Sequence, residues 1–501
     1  MQGLYRPDNA LTKIETIAAQ YPGRIAMIDD FREVSYKQFQ AAIIHTQFLL
    51  QTRFHVKRGE RVAILIENNI ESAVAFYAIL RLGAIAVIIN AKLAKPEVDY
   101  IIADSSPVLV MIGNADFRPL VSGKVPVYSI PAGRDDLQDE PSDESLCQPG
   151  FSDDGNAIIM YTSGTTGRPK GALISHHNIT YAVDSYIHDV GLTESDATII
   201  VVPLFYVTGL IAQMTVFLSL GAKIVILRRF DEEQALRRIA AHRVTHLHSV
   251  ATVYLSLASA MENSKGLDLT CIRQALCGGG PITNALIERL KKQLPWLDFR
   301  RIYGLTESTS PGAVMPVDVQ QMPEKNCSSG LPMRWMKAKV VDNDGREVKP
   351  GDAGELLIRG DNVIQSYWNN PEANAASFAD GWLKTGDIAK IDAEGFVYIL
   401  DRKKDMIIRG GEKVFCSEVE GVLALYPGVK EVAVIGAPDP YYGEMVKAYI
   451  VPMENAVLKI EEIIQFARAK MAKFKVPAVI QFLPELPRSA VGKILKSALK
   501  L

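Results

Sequence analysis

Short unbroken apolar runs alternate with longer stretches of helical period through the first half of the chain. Arg61-Val-Ala-Ile-Leu-Ile66 and Ala84 to Ile89 are continuous apolar runs, and Glu71 to Arg81 between them has helical spacing. Ala10 to Gln20 reads as a helix and Ile25 to Asp29 as a strand. Ser35 to Gln51 reads as a helix opened by a serine cap. Further on, the run Lys223-Ile-Val-Ile-Leu227 precedes a helix over Asp231 to His242. Continuous apolar strands alternating with helices predict an α/β fold with largely parallel sheets covered on both faces.

From about residue 335 the texture changes. Short strands are predicted at Ala338 to Val341, Gly354 to Arg359, Gly395 to Leu400 and Asp405 to Arg409. Asn343-Asp-Gly345, Pro350-Gly351 and Asp392-Ala-Glu-Gly395 supply the turns between them. Beyond residue 404 the pattern predicts a small α+β unit. Its pieces are a helix near Ser417 to Leu425, strands at Val432 to Ile435 and Lys447 to Val451, and a helix over Lys459 to Met471.

Ala197 to Ala222 carries no charge and is long enough to span a bilayer. Pro203-Leu-Phe-Tyr-Val-Thr-Gly209 breaks it, so it reads as a buried strand, a loop and a buried helix. No apolar signal-peptide run follows Met1. With 501 residues, two or more domains are expected. A net charge of −2 gives no sign of nucleic acid or an anionic membrane as partner. The five cysteines form no Cys-x-x-Cys pair, which argues against a disulfide framework or zinc site and fits a reducing cytoplasm. His246 and His248 alternate on a strand-like stretch, and one face of a sheet accounts for them better than a metal site does.

The most chemically loaded stretch is Tyr161-Thr-Ser-Gly-Thr-Thr-Gly-Arg-Pro-Lys-Gly171, preceded by the strand-like Asn156 to Met160. A strand running into a loop of glycines and hydroxyls is built to hold phosphates. Glycines admit the anion close to backbone N–H groups, hydroxyls add donors and the lysine adds charge. The spacing is wrong for a Walker loop, because Lys170 is followed by Gly171.

This loop resembles the signature of the AMP-forming adenylating superfamily, which includes acyl- and aryl-CoA ligases, nonribosomal adenylation domains and luciferases. Pro203-Leu-Phe-Tyr206, Tyr303-Gly-Leu-Thr-Glu307, Gly354-Glu-Leu356, Lys384-Thr-Gly-Asp387, Asp401-Arg-Lys-Lys404 and Gly492-Lys493 follow in the family's order. The resemblance implies a large N-terminal domain, residues 1–402, of two helix-flanked mixed sheets plus a small β-barrel. A small mobile α+β domain, residues 403–501, would follow a hinge near Lys404. The implied cofactors are ATP, Mg2+ and CoA, and the implied reaction joins a carboxylic acid to AMP and then to a thiol.

By the same resemblance, Thr162, Ser163, Gly164, Thr165, Thr166, Gly167 and Lys170 cradle phosphates, although Lys170 also reads as a surface charge. Gly278, Gly279 and Gly280 would admit adenine, on which Tyr303 stacks. Thr306 would bond the α-phosphate, Glu307 would ligate Mg2+, and Asp387 with Arg402 would hold ribose. Lys493 would be the mobile cation that bridges the α-phosphate and the acid. After a turn at the hinge, Gly410 and Gly411 would line a thiol tunnel.

Phe205, Tyr206, Gly209, Ser249, Val250 and Gly304, with the loop 308–314, would line the acid pocket. Tyr206 stands where many CoA ligases carry histidine, and Cys416 where many carry proline. Tyr442 and Phe474 read equally as platforms for the CoA adenine or as packing. Arg301 reads as one half of a surface ion pair. The texture of Asp405 to Val414 favours CoA as acceptor. A standalone ligase loading an acyl carrier protein shares every motif up to the second step.

Overall fold

The computed structural model describes residues 6–130, 148–162, 169–264, 266–280, 282, 284–317, 325, 327–488 and 494–500. Its contacts divide the chain into two compact units. The first comprises residues 1–338 and 358–383, the second residues 339–357 and 384–501.

The first unit holds two large sheets. One has six strands in the order Val127–Ser129, Leu109–Ile112, Arg61–Ile66, Ile85–Asn90, Asn156–Thr162, Lys170–Ser175. Its first five strands run parallel and the last two form an antiparallel hairpin. The other sheet has nine strands, and six of them, Asp298–Tyr303 through Ile25–Ile28, pair in parallel at its centre. The predicted α/β alternation is therefore present, and its apolar runs are buried because helices cover them. Helix Ile70–Leu82 is buried along its whole length. Ser35 caps helix Tyr36–Thr52 with a reciprocal capping box to Gln38.

The uncharged segment 197–222 resolves into strand Ala197–Ile200, a loop, a π-helix over Thr208–Thr215 and a short α-helix Val216–Leu220. Among the described residues, no helix is long and apolar enough to cross a membrane.

One side chain ties the two sheets of this unit. Asn68 follows strand Arg61–Ile66 of the six-stranded sheet and is 7% exposed. Its amide donates to the carbonyls of Val202 and Leu227 at 3.3 and 3.2 Å, and its oxygen accepts the Leu204 N–H at 2.8 Å. All three partners lie just past the ends of strands Ala197–Ile200 and Lys223–Ile226 of the nine-stranded sheet.

The second unit contains strand Val397–Arg402 and, from Lys384 on, strand Trp382–Ile391, paired antiparallel within a five-stranded sheet. That sheet stands where the small barrel was expected. A separate sheet packs strands Ile407–Arg409, Glu412–Val414, Val429–Asp439, Gly443–Pro452 and Val479–Phe482 against helices Cys416–Leu423 and Ile460–Arg468. Gly410 and Gly411 form the two-residue turn of its first hairpin. Both have positive φ, 58° and 89°, as a type I′ turn requires.

Replacing Asn68 with Ala strands an N–H and two carbonyls in the interior. At about 1–3 kcal/mol for each buried group left unpaired, the expected destabilisation is on the order of 3 kcal/mol. A lowered urea midpoint at constant m-value is the expected result.

Candidate active site

Three separate stretches of the first unit meet at one carboxylate. Glu307 sits in a single 3-10 turn, Thr306–Ser308, directly after strand Asp298–Tyr303. Its Oε1 accepts a hydrogen bond from Tyr367 Oη at 3.0 Å and another from Thr162 Oγ1 at 3.3 Å. Thr162 is the last residue of its strand, and it pairs across the hairpin with Lys170. The Lys170 ammonium in turn lies 5.5 Å from the Tyr367 ring centroid. The hairpin thus delivers a hydroxyl to the carboxylate from one end of the signature loop, and a cation to the Tyr367 ring from the other. Ser163, Gly164, Thr165, Thr166 and Gly167, inside that loop, lie outside the described residues.

Backbone contacts fix the arrangement. The Ile364 N–H donates to the Glu307 carbonyl at 2.9 Å, and the Trp368 N–H donates to the Gly171 carbonyl at 2.7 Å. Asn362, fully buried, donates to the carbonyls of Ser308 and Pro311 at 3.0 Å each. The loop after Glu307 folds back tightly. A Cβ on Gly304 would sit 1.7 Å from the Ser310 carbonyl oxygen, so only glycine fits. Thr309 and Ser310 take positive φ of 56° and 100°, a strained conformation for side-chain-bearing residues. Ser310 is held there by a 2.9 Å hydrogen bond with the Tyr186 hydroxyl.

Among the described residues, no three His, Cys, Asp or Glu side chains gather closely enough to hold a metal. Glu307 fits a different arrangement. A single carboxylate beside hydroxyls suits a Mg2+ whose remaining ligands are phosphate oxygens and water.

The predicted acid-pocket residues fall at the ends of strands in the same unit. Phe205 and Tyr206 pack edge to face with centroids 4.8 Å apart. The Tyr206 hydroxyl is buried with no hydrogen-bond partner, and burial raises its pKa. Gly209 is the second residue of the π-helix, where a Cβ would come 2.7 Å from the Pro203 carbonyl oxygen. Ser249 ends strand His246–Ser249 with its hydroxyl buried and unpartnered, and Val250 precedes the next helix. Gly278 and Gly279 follow strand Gln274–Cys277. A Cβ on Gly278 would meet the Ile302 carbonyl oxygen at 2.6 Å, and Gly279 has φ 76°, whereas Gly280 faces open space. Tyr303 closes strand Asp298–Tyr303, one residue before Gly304.

His246 and His248 share one buried strand face. His246 shares a hydrogen bond with Gln274 at 2.9 Å, while His248 Nδ1 has no partner. Burial pulls His246 down to about 4, and burial together with His246 pulls His248 down to about 3, so both are neutral at pH 7. Arg301, partly buried, stands on the strand next to Cys277, and burial lowers its pKa.

In the second unit, Asp387 and Arg402 are direct cross-strand partners. The Arg402 Nε donates to Asp387 Oδ1 at 2.9 Å, with Asp387 buried and Arg402 half-exposed. Thr385 braces the carboxylate's backbone by accepting the Asp387 N–H at 3.1 Å. Lys404 is exposed in the turn that follows. The Arg409 guanidinium lies 4.2 Å over the Tyr442 ring, and Tyr442 is 41% exposed. Phe474 packs on the apolar core of its sheet. Cys416 is fully buried, and its thiol donates to the Asp405 carbonyl at 3.0 Å. Lys493 lies outside the described residues.

Tyr367 and Asn362 were missed by sequence reasoning. Ser366-Tyr-Trp-Asn369 has no spacing that marks a site, and only the fold brings it to Glu307.

Two family models match the chain, "AMP-binding enzyme" over residues 14–368 and "AMP-binding enzyme C-terminal domain" over residues 418–493. The chain is 36% identical to a feruloyl-CoA synthase from an Amycolatopsis species, over 89% of each chain. It is 34% identical to the 2-succinylbenzoate–CoA ligase of Bacillus subtilis, over 96% of this chain and 95% of the ligase. The solved o-succinylbenzoate CoA synthetase of Bacillus subtilis, in complex with its acyl-adenylate intermediate, superposes with a TM-score of 0.87 at 33% identity. That match covers 99% of this chain and 98% of the other. The chain belongs to the AMP-binding enzyme family.

The buried imidazoles generate a pH prediction. Unfolded, His248 takes up a proton below about pH 6.5; folded, it resists until about pH 3. Unfolding therefore binds a proton in that window, and the His248 contribution to stability is lost as pH falls. A His248→Gln variant should show a stability-versus-pH slope shallower by up to about 1.4 kcal/mol per pH unit between pH 6 and 4, with no slope difference above pH 7.5. Urea unfolding across that range measures it.

Proposed function

We propose that this protein is an AMP-forming acid–CoA ligase. It activates a carboxylic acid as acyl-AMP, releases pyrophosphate, and passes the acyl group to the thiol of CoA. The observation that carries this reading is the meeting of Thr162 and Tyr367 at Glu307, with Lys170 against the Tyr367 ring.

In the first step, a carboxylate oxygen of the acid attacks the α-phosphorus of ATP, and the bond to pyrophosphate breaks. Two anions approach each other, so positive groups must neutralise the charge that builds on phosphorus. The residues of loop 162–170 hold the β- and γ-phosphates. Bound Mg2+ supplies further charge neutralisation at Glu307. Tyr367 and Thr162 orient that carboxylate and keep it from turning away. Thr306 bonds the α-phosphate, Tyr303 stacks on adenine beside Gly278, Gly279 and Gly280, and Asp387 with Arg402 grips the ribose. Lys493 bridges the acid carboxylate and the α-phosphate.

In the second step the thiol sulfur attacks the acyl carbon, the thiol proton passes to solvent, and AMP leaves with the electrons of the broken acyl–oxygen bond. Residues 403–501 turn about Lys404 between the steps, which withdraws Lys493 and brings Gly410 and Gly411 to the thiol path. The exposed turn at Lys404 and the family models, which end and restart on either side of it, support that hinge. The relatives named as CoA ligases support CoA over a carrier protein as acceptor. The free cysteines Cys271, Cys277, Cys327 and Cys416 support a cytoplasmic location.

Aromatic carboxylic acids are the first class to test. Two of the relatives are named for aromatic acids, and Phe205 and Tyr206 offer aromatic edges. Pyrophosphate release over an acid panel, with ATP and Mg2+, should identify one acid class, and thioester should appear only when CoA is added. Lys493→Ala should lose at least about 100-fold in pyrophosphate release while still binding ATP, because it removes charge made for the transition state. Tyr367→Phe should raise the Mg2+ concentration needed for half-maximal rate. Unchanged pyrophosphate release in Lys493→Ala contradicts the mechanism.

A further inference from the structure

Strand Val397–Arg402 and helix Cys416–Leu423 lie on opposite sides of Lys404 in the chain, yet one compact unit contains both. The strand belongs to the five-stranded sheet, while the helix packs on the sheet that follows Lys404. Among the described residues, no strand pairing joins the two sheets. The backbone hydrogen bonds around Lys404 belong to one turn, in which the Asp405 and Met406 N–H groups donate to the Arg402 carbonyl at 3.0 and 3.1 Å. Bonds that close so locally do not fix where the helix sits against the strand.

Side chains make the longer connection. Asp401, only 9% exposed, accepts the backbone N–H groups of Cys416 and Ser417 through Oδ2, the second at 3.4 Å. Its Oδ1 accepts the Arg402 N–H at 2.8 Å, which holds the carboxylate in place. The Ser417 hydroxyl returns the contact by donating to the Leu400 carbonyl. Cys416 and Ser417 are the first two residues of the helix, so their N–H groups have no partner within it. A carboxylate there also meets the positive end of the helix dipole. Lys496, ion-paired with Glu420 of the same helix at 2.7 Å, opposes the burial that raises the Asp401 pKa. Asp401 therefore caps, from before Lys404, a helix that begins after it. Hydrogen bonds weaken steeply once distance and angle are lost, so a swing of the helix away from the strand breaks this cap.

We propose that Asp401, with Ser417, is the latch of the hinge at Lys404. The latch holds the chain beyond the hinge in one of the two orientations that the reaction uses, and each turnover breaks and remakes it. The inference rests on the proposed function, in which that part of the chain turns between the half-reactions. A cap that only stabilised the fold would, when lost, weaken both half-reactions or neither. A latch favours one orientation, so loosening it moves population to the other and speeds the step made there.

The test uses the full-length protein and Asp401→Asn, which keeps the side-chain volume and removes the charge. Adenylate formation is read as pyrophosphate released in a single turnover, and thioester formation from chemically prepared acyl-adenylate and CoA. One half-reaction should run about fivefold faster and the other no faster, the scale of a lost helix cap. Trypsin reads the same motion without chemistry, because Lys403 and Lys404 are exposed. Cleavage after them should also be about fivefold faster in the variant. Ser417→Ala should show the same pattern and carries the test if Asp401→Asn does not fold. A gain in neither half-reaction, a gain in both, or an unchanged cleavage rate overturns the latch. A wild-type protein that forms no adenylate with any acid overturns the proposed function, and the latch with it. Failure of the latch alone leaves wild-type adenylation intact.

Discussion

The contact on which the site depends is a shared hydrogen bond at one carboxylate oxygen. Glu307 Oε1 receives hydroxyls from Thr162, at the end of a strand in the six-stranded sheet, and from Tyr367, far along the chain. Glu307 itself follows a strand of the nine-stranded sheet. The carboxylate thus becomes a fixed point between two sheets, and the signature hairpin is registered against it through Thr162, the cross-strand partner of Lys170. A carboxylate oriented by two neutral donors keeps its charge for a cation, which is what a phosphate site with Mg2+ requires.

Fixing that point carries costs that the surrounding loop absorbs. Gly304 permits a fold-back that no Cβ would survive, and Thr309 and Ser310 hold positive φ immediately afterwards. Asn362 and Tyr186 hold that loop in place through buried hydrogen bonds. Asn68 does the same one layer deeper, tying the ends of parallel strands from both sheets. Ligand sites in open α/β sheets lie beyond the carboxyl ends of the strands, and these buried amides are what keep those ends together. In the second unit, a cross-strand pair places Arg402 on Asp387, so an ion pair on a buried carboxylate is formed by strand register alone.

Much of this was legible in the sequence, and the limits have physical causes. Helix Ala10–Gln20 and strand Arg61–Ile66 match their predicted bounds, because each buries a continuous apolar face and carries clear end signals. The break in the uncharged segment 197–222 was also legible, since Pro203 cannot sit in the interior of a helix. Its π-helical turn was not, because apolar residues on every side give no period to read. Tyr367, Asn362, Asn68 and Lys496 escaped for a common reason. Each acts through partners distant in sequence, and nothing local distinguishes them from ordinary polar residues.

The measurement that tests the central claim most directly is the identity of the nucleotide product in a single turnover. Enzyme in excess over ATP would be mixed with Mg2+ and an accepted acid, without CoA, then quenched in acid and resolved by mass. The account predicts enzyme-bound acyl-AMP with one equivalent of pyrophosphate. ADP with phosphate or an acyl phosphate would contradict it, since attack would then have fallen on the γ-phosphorus and not on the α.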